Sequence, residues 1–162
     1  MRLGDLTTLA TQSLHNVAQI MKDSIIKEAM FNHPIETVWK AISQANEIST
    51  WFIQADFKPE KGYKYTFTAS EEKGCLTITG EVLEASPYVL TYTWVVQDSD
   101  TITTVKWLLA PKDGQTSLQL EHSGISDYPG ESAVAFFESF NGGWDDCVSQ
   151  LSKYLIKEVH AA

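Results

Sequence analysis

Residues 62–123 consist of five runs in which apolar and polar side chains alternate, each run closed by a turn signal. Residues 62–69 set Tyr63, Tyr65 and Phe67 against Lys64, Thr66 and Thr68, and Glu71-Glu72-Lys73-Gly74 turns the chain. Residues 75–85 put Leu76, Ile78 and Val82 on one face and break at Ser86-Pro87. Residues 88–96 do the same with Leu90, Tyr92, Trp94 and Val96, before Gln97-Asp98-Ser99-Asp100. Residues 101–110 carry Val105, Trp107 and Leu109, and Lys112-Asp113-Gly114 is a hairpin turn leading to 115–123, with Leu118, Leu120 and His122 in phase. A period of two predicts strands with one buried face. Connections this short make neighbours antiparallel, because a parallel return needs a crossover of about a dozen residues. The result is a meander whose apolar face needs a cover.

The cover follows in the sequence. After a loop over 124–130, a helix is expected over 131–158, with Phe137, Phe140, Trp144, Val148, Leu151 and Leu155 at steps of three and four. It is roughly 40 Å long, enough to cross a sheet. Gly142-Gly143 sits inside it, which costs about 2 kcal/mol against two alanines; close helix packing is the expected reason. Upstream, residues 24–33 read as a strand. Pro34 opens a helix over 34–43 with Ile35, Val38, Trp39 and Ile42 inward, and 45–51 form a second helical turn before a loop over 53–60. The layout is α+β: one antiparallel sheet, a long helix on its concave face and two short helices at one end.

Residues 1–23 stand apart from a domain over 24–162. Leu3, Leu6, Leu9, Leu14, Val17, Ile20 and Met21 form one helical stripe, which must pack either on the domain as a clasp or on a second copy as a homodimer. Lys and Arg number 12 against 21 Asp and Glu, a net charge of −9. That balance speaks against nucleic acid and against anionic membrane surfaces. No run approaches the length of a membrane span, and no leader pattern is visible. Cys75 and Cys147 fit two buried thiols in a reducing cytoplasm.

Four stretches carry a resemblance. They are Phe31-Asn32-His33-Pro34-Ile35-Glu36-Thr37-Val38-Trp39 with Trp51-Phe52 downstream; Gly80-Glu81-Val82-Leu83-Glu84 followed by Pro87, Leu90, Tyr92 and Trp94; Leu118-Gln119-Leu120-Glu121-His122-Ser123-Gly124; and Gly143-Trp144 with Leu151, Tyr154 and Leu155 behind it. In this order, over residues 25–157, they resemble the activator-of-heat-shock-ATPase homologue (AHSA-like) family of the START and birch-pollen-allergen-like superfamily. The resemblance implies a helix-grip fold and a cavity for a hydrophobic molecule between sheet and long helix. Members include lipid carriers, hormone receptors, cyclases and co-chaperone domains, so it implies no single activity.

The aromatic load, five Trp, six Tyr and seven Phe, falls largely on the inward phases. Tyr65, Phe67, Trp94, Trp107, Phe137, Phe140 and Trp144 are expected to converge, either as core or as the lining of a pocket; aromatic lining with few polar groups suits a ligand site. His122 is either a hydrogen-bonding group at the pocket mouth or a satisfied core histidine. Trp51 and Phe52 are either a gate or a plug. Asp145-Asp146 point about 100° apart on a helix and read as a solvated face. No zinc pattern, phosphate loop or nucleophile elbow is present, so neither catalytic residues, metal nor cofactor is assigned.

The reading that unites these features is a cytoplasmic protein binding a lipid-like or aromatic apolar molecule, with a link to stress through the family. The resemblance also implies a co-chaperone role with a heat-shock ATPase as partner, and, with less support from the residues, a cofactor-free cyclase or hydrolase built around His122.

Overall fold

The computed structural model describes residues 23–70 and 76–161; the stripe over 3–21, with its clasp and dimer readings, and Cys75 lie outside them. The order is β1 (Ile25–Phe31), α1 (Ile35–Ser43), α2 (Ala45–Trp51), β2 (Gln54–Asp56), β3 (Lys64–Thr68), β4 (Thr77–Ser86), β5 (Val89–Val96), β6 (Thr103–Lys112), β7 (Gln115–Ser123), a 3-10 turn (Ile125–Asp127) and α3 (Ser132–Ala161). The strands make one antiparallel sheet in the order β1-β7-β6-β5-β4-β3-β2. The α+β helix-grip layout is therefore the fold. Three residues are too few to show a period, so β2 is invisible to alternation and reads as loop. It becomes a strand only by pairing with β3, Ala55 opposite Phe67.

Local chemistry sets the element ends. Pro34 stands just before α1 with φ −61° and ψ 147°, and its carbonyl accepts the Thr37 and Val38 N–H groups at 3.0 and 3.3 Å. Glu36 in the first turn and Lys40 in the last suit the helix dipole. Trp51, ending α2, donates its indole N–H to the Ala41 carbonyl at 2.8 Å and so locks α2 onto α1. Asp113 and Gly114 both have positive φ, 52° and 80°, as a two-residue hairpin turn with the sheet's twist requires.

Gly80 is the one glycine in the sheet whose hydrogen cannot be replaced. A Cβ there would lie 2.0 Å from the Thr93 carbonyl oxygen and 2.6 Å from Cε1 of Tyr65. Tyr65 passes over this point to donate its hydroxyl to that same carbonyl. Backbone cannot yield as a flexible side chain can. Gly80→Ala is expected to destabilise the fold by about 3 kcal/mol, read as a shift in the urea midpoint; an unchanged midpoint would mean that β4 and β5 can separate here at little cost.

Helix α3 has 30 residues and runs about 45 Å. It buries Trp144, Cys147, Leu151 and Leu155 at 3% exposure or less. At its outer edge Asp145 pairs with Lys27 of β1 at 2.8 Å, and Lys27 also donates to Asn141 at 2.7 Å. Asp145 thus clamps the helix to the sheet edge, and Asp146 is exposed. Among the described residues no helix is long and apolar enough to cross a membrane.

Candidate functional site

His122 lies at the centre of the space between sheet and helix. Alternation along β7 turns Leu118, Leu120 and His122 inward, and the imidazole has no exposed surface. Its Nδ1 accepts the Trp144 indole N–H at 2.9 Å, and its Nε2 is 2.7 Å from the Thr103 hydroxyl. An indole N–H can only donate, so the ring proton sits on Nε2 and is given to Thr103. The Thr103 hydroxyl in turn donates to the Trp94 carbonyl at 3.2 Å. Phe140 stacks on the imidazole at 4.7 Å and 26°. Burial lowers the His122 pKa to about 3, so the ring is neutral near pH 7. Of the two readings open in the sequence, the geometry matches the satisfied core histidine. Thr103 was not singled out as its partner, although it shares the inward phase of Val105 and Trp107.

The predicted aromatic set divides into three. Tyr65 and Phe67 pack with Phe57 and Tyr92, with centroids 4.6–6.0 Å apart. Trp107 is 2% exposed and donates to the Tyr92 hydroxyl at 2.8 Å. These rings are solid core, and burial raises the pKa of both tyrosines. Phe137 is half-buried at the margin of the core. Trp94, Phe140 and Trp144 remain, and they meet Phe52 at a groove.

That groove has a volume of about 200 Å³ and lies where α3 passes β4 and the end of α2. Phe52, Ile53, Ala69, Leu76, Ile78 and Trp94 line it from the sheet side, and Ser139, Phe140, Gly143 and Trp144 from α3. No ionisable side chain is among them. A Cβ at Gly142 or Gly143 would meet nothing within 4 Å, so the expected close packing is not what these glycines serve. Gly143 instead leaves the groove open. The middle of the sheet–helix gap is filled by Trp94, Trp107 and Trp144, with Trp144 5.3 Å from Trp94 and 5.9 Å from Trp107.

Trp51 and Phe52 have different placements. Trp51 is 8% exposed, stacks on Phe52 at 5.2 Å and on Tyr154 at 6.5 Å, and plugs the end of the fold. Phe52 is half-buried, lies 6.1 Å from Trp144 and forms part of the groove wall. An adjoining cleft of about 410 Å³ shares Phe52, Ile53 and Ala69 but is otherwise walled mainly by Ser49, Thr50, Gln54, Thr68 and Ser70. Hydroxyls and an amide suit water there better than an apolar guest. Ile53, Leu76 and Ile78 were not named as site residues. Ile78 and Leu76 carried the inward phase of their strand, but nothing local marks Ile53.

The family described as Activator of Hsp90 ATPase homolog 1-like protein matches residues 32–156. Among solved structures, protein MLL2253 from Mesorhizobium loti is 25% identical, with a TM-score of 0.73 over 83% of this chain and 97% of that one. BH1534 from Bacillus halodurans is 29% identical, with a TM-score of 0.66 over 82% of this chain and 96% of that one. CalU16 from Micromonospora echinospora, at 23% identity and a TM-score of 0.67 over 85% of this chain and 79% of that one, is alike in fold. No curated protein matches at a significant level.

Proposed function

The chain belongs to the Activator of Hsp90 ATPase homolog 1-like family, and from that premise we propose that it binds a small apolar, ring-bearing molecule in the groove beside α3. Hydrophobic ligands are common in this fold family. The observation that carries the reading is the groove itself: four aromatic side chains in its wall, Phe52, Trp94, Phe140 and Trp144, and Gly143 holding the opening clear. Ligand sites are concave, mostly apolar and aromatic, with few polar groups, and this groove has that composition. At about 200 Å³ it is smaller than the roughly 300–1,000 Å³ of pockets that enclose drug-sized molecules, so it suits a compact guest or one end of a longer one.

Gly143→Leu tests the site without threatening the fold. The added Cβ has free space, and leucine is favoured over glycine inside a helix by about 0.8 kcal/mol. Its side chain would fill the groove. Tryptophan fluorescence of the native chain is expected to change saturably on titration with tetralin, an uncharged two-ring hydrocarbon. Gly143→Leu is expected to keep or raise the melting temperature and to bind at least tenfold more weakly. Equal binding by the variant would exclude the groove as the site, and no saturable response from the native chain would remove the reading.

A further inference from the structure

Trp94 is 5% exposed and forms one wall of the groove, yet its indole N–H has no acceptor among the described residues. A buried donor without a partner costs free energy comparable to a lost hydrogen bond, so such donors are rare and ask for an explanation. Three neighbouring ring donors are used. Trp144 gives its N–H to His122, Trp107 gives its N–H to Tyr92, and His122 gives its Nε2 proton to Thr103. The Trp94 backbone carbonyl is also occupied, by Thr103. Among the described residues two other buried polar atoms lack a partner, His33 Nδ1 and the Tyr128 hydroxyl, but of the three residues only Trp94 belongs to the groove wall.

We infer that the ligand of the groove is an uncharged molecule carrying a hydrogen-bond acceptor, such as a ring ketone, which takes the Trp94 Nε1–H. This inference rests on the groove being a ligand site and names the chemistry that site selects. The acceptor follows from the donor: an indole N–H cannot accept, so it discriminates carbonyl and ether oxygens from a bare hydrocarbon. The absence of charge follows from the lining, which holds no lysine, arginine or histidine to neutralise an anion and no carboxylate to neutralise a cation. Ionised groups buried without a partner are strongly disfavoured, and the net charge of −9 repels anions further. The role of orienting a polar end, expected of His122, passes to Trp94, because both His122 nitrogens are engaged.

The test pairs two probes of one shape, tetralin and 1-tetralone, which differ by a carbonyl. Their affinities are measured on the native chain and on Trp94→Phe, which keeps an aromatic ring and removes the N–H. The ratio of ketone to hydrocarbon affinity is expected to fall at least fivefold in Trp94→Phe, with tetralin binding little changed. On the native chain a carboxylate of the same ring system is expected to bind at least tenfold more weakly than the ketone. An unchanged ratio, with tetralin bound by both proteins, would overturn the acceptor while leaving the groove standing as a ligand site. A carboxylate binding as tightly as the ketone would overturn the uncharged ligand. Failure of the native chain to bind either two-ring probe would overturn both the inference and the site. Should Trp94→Phe not fold, the indole proton resonance of Trp94 in the native chain decides. A downfield shift with 1-tetralone and none with tetralin supports the inference, and equal shifts overturn it.

Discussion

Trp144→Ala is expected to lower the stability of the fold by roughly 5 kcal/mol. Removing a buried tryptophan ring leaves a cavity that costs about 3–5 kcal/mol where neighbours cannot collapse into it. Here the neighbours are Trp94, Trp107, Phe52 and His122, rigid rings held by other partners. The substitution also removes the donor to His122 Nδ1 and leaves that nitrogen buried and unpaired, about 1–3 kcal/mol more. Domains of this size have a total stability of about 5–15 kcal/mol, so the variant should be marginal or unfolded at room temperature. Trp144→Phe separates the two causes. It keeps most of the apolar volume but not the N–H, and about 2 kcal/mol is expected. Urea midpoints of the three proteins read both effects. A loss below about 2 kcal/mol for Trp144→Ala would show that α3 is held mainly elsewhere along its length.

Mild acid is the second large effect, and His122 sets its sign. In the folded chain its pKa is lowered to about 3 by burial, against an ordinary value of 6.5. Between those values the unfolded chain binds a proton that the folded chain refuses. Stability is therefore full above pH 6.5 and falls as pH falls, by up to about 1.4 kcal/mol per unit. Asp23 acts in the same direction at lower pH: its hydrogen bond from Ser126 lowers its pKa below 3.8, so its contribution is lost only further into acid. The interval from pH 6.5 to 5 therefore isolates the histidine. His122→Gln keeps an acceptor for Trp144 and a donor for Thr103 but does not titrate there. The native chain should lose about 2 kcal/mol over that interval relative to His122→Gln, so the gap between their urea midpoints narrows. The remaining histidines are common to both proteins and cancel. Parallel profiles would mean that His122 reaches water in the folded state.

Much of the fold was legible because the inward and outward faces repeat locally. Tyr65 and Phe67 fall on one face of β3, and Leu118, Leu120 and His122 on one face of β7, by the pleat alone. The stripe through Trp144, Val148, Leu151 and Leu155 follows from 3.6 residues per turn. Where an element is too short to show a period, as with Gln54–Asp56, nothing local announces it, and only the partner strand makes it a strand. Gly143 was visible as an anomaly, but its reason was not, since a glycine looks the same in a sequence whether it admits a close neighbour or keeps a space empty.

Sequence alone determined that aromatic side chains and one histidine enter the interior of a single antiparallel sheet capped by a long helix. Periodicity is a property of neighbours along the chain and needs no knowledge of what lies across the gap. Tertiary structure decided what each ring does once inside. His122 meets Thr103 of β6 and Trp144 of α3, distant in sequence, and so is spent on the core. Trp107 is likewise spent on Tyr92. Trp94 meets no acceptor among the described residues and stands at the groove. The reason is geometric: where α3 crosses the sheet, and how the volumes of Trp94, Trp107 and Trp144 fill the space beneath it, determine that most of the gap is core and that one edge stays open. Those quantities belong to pairs of residues far apart in the chain.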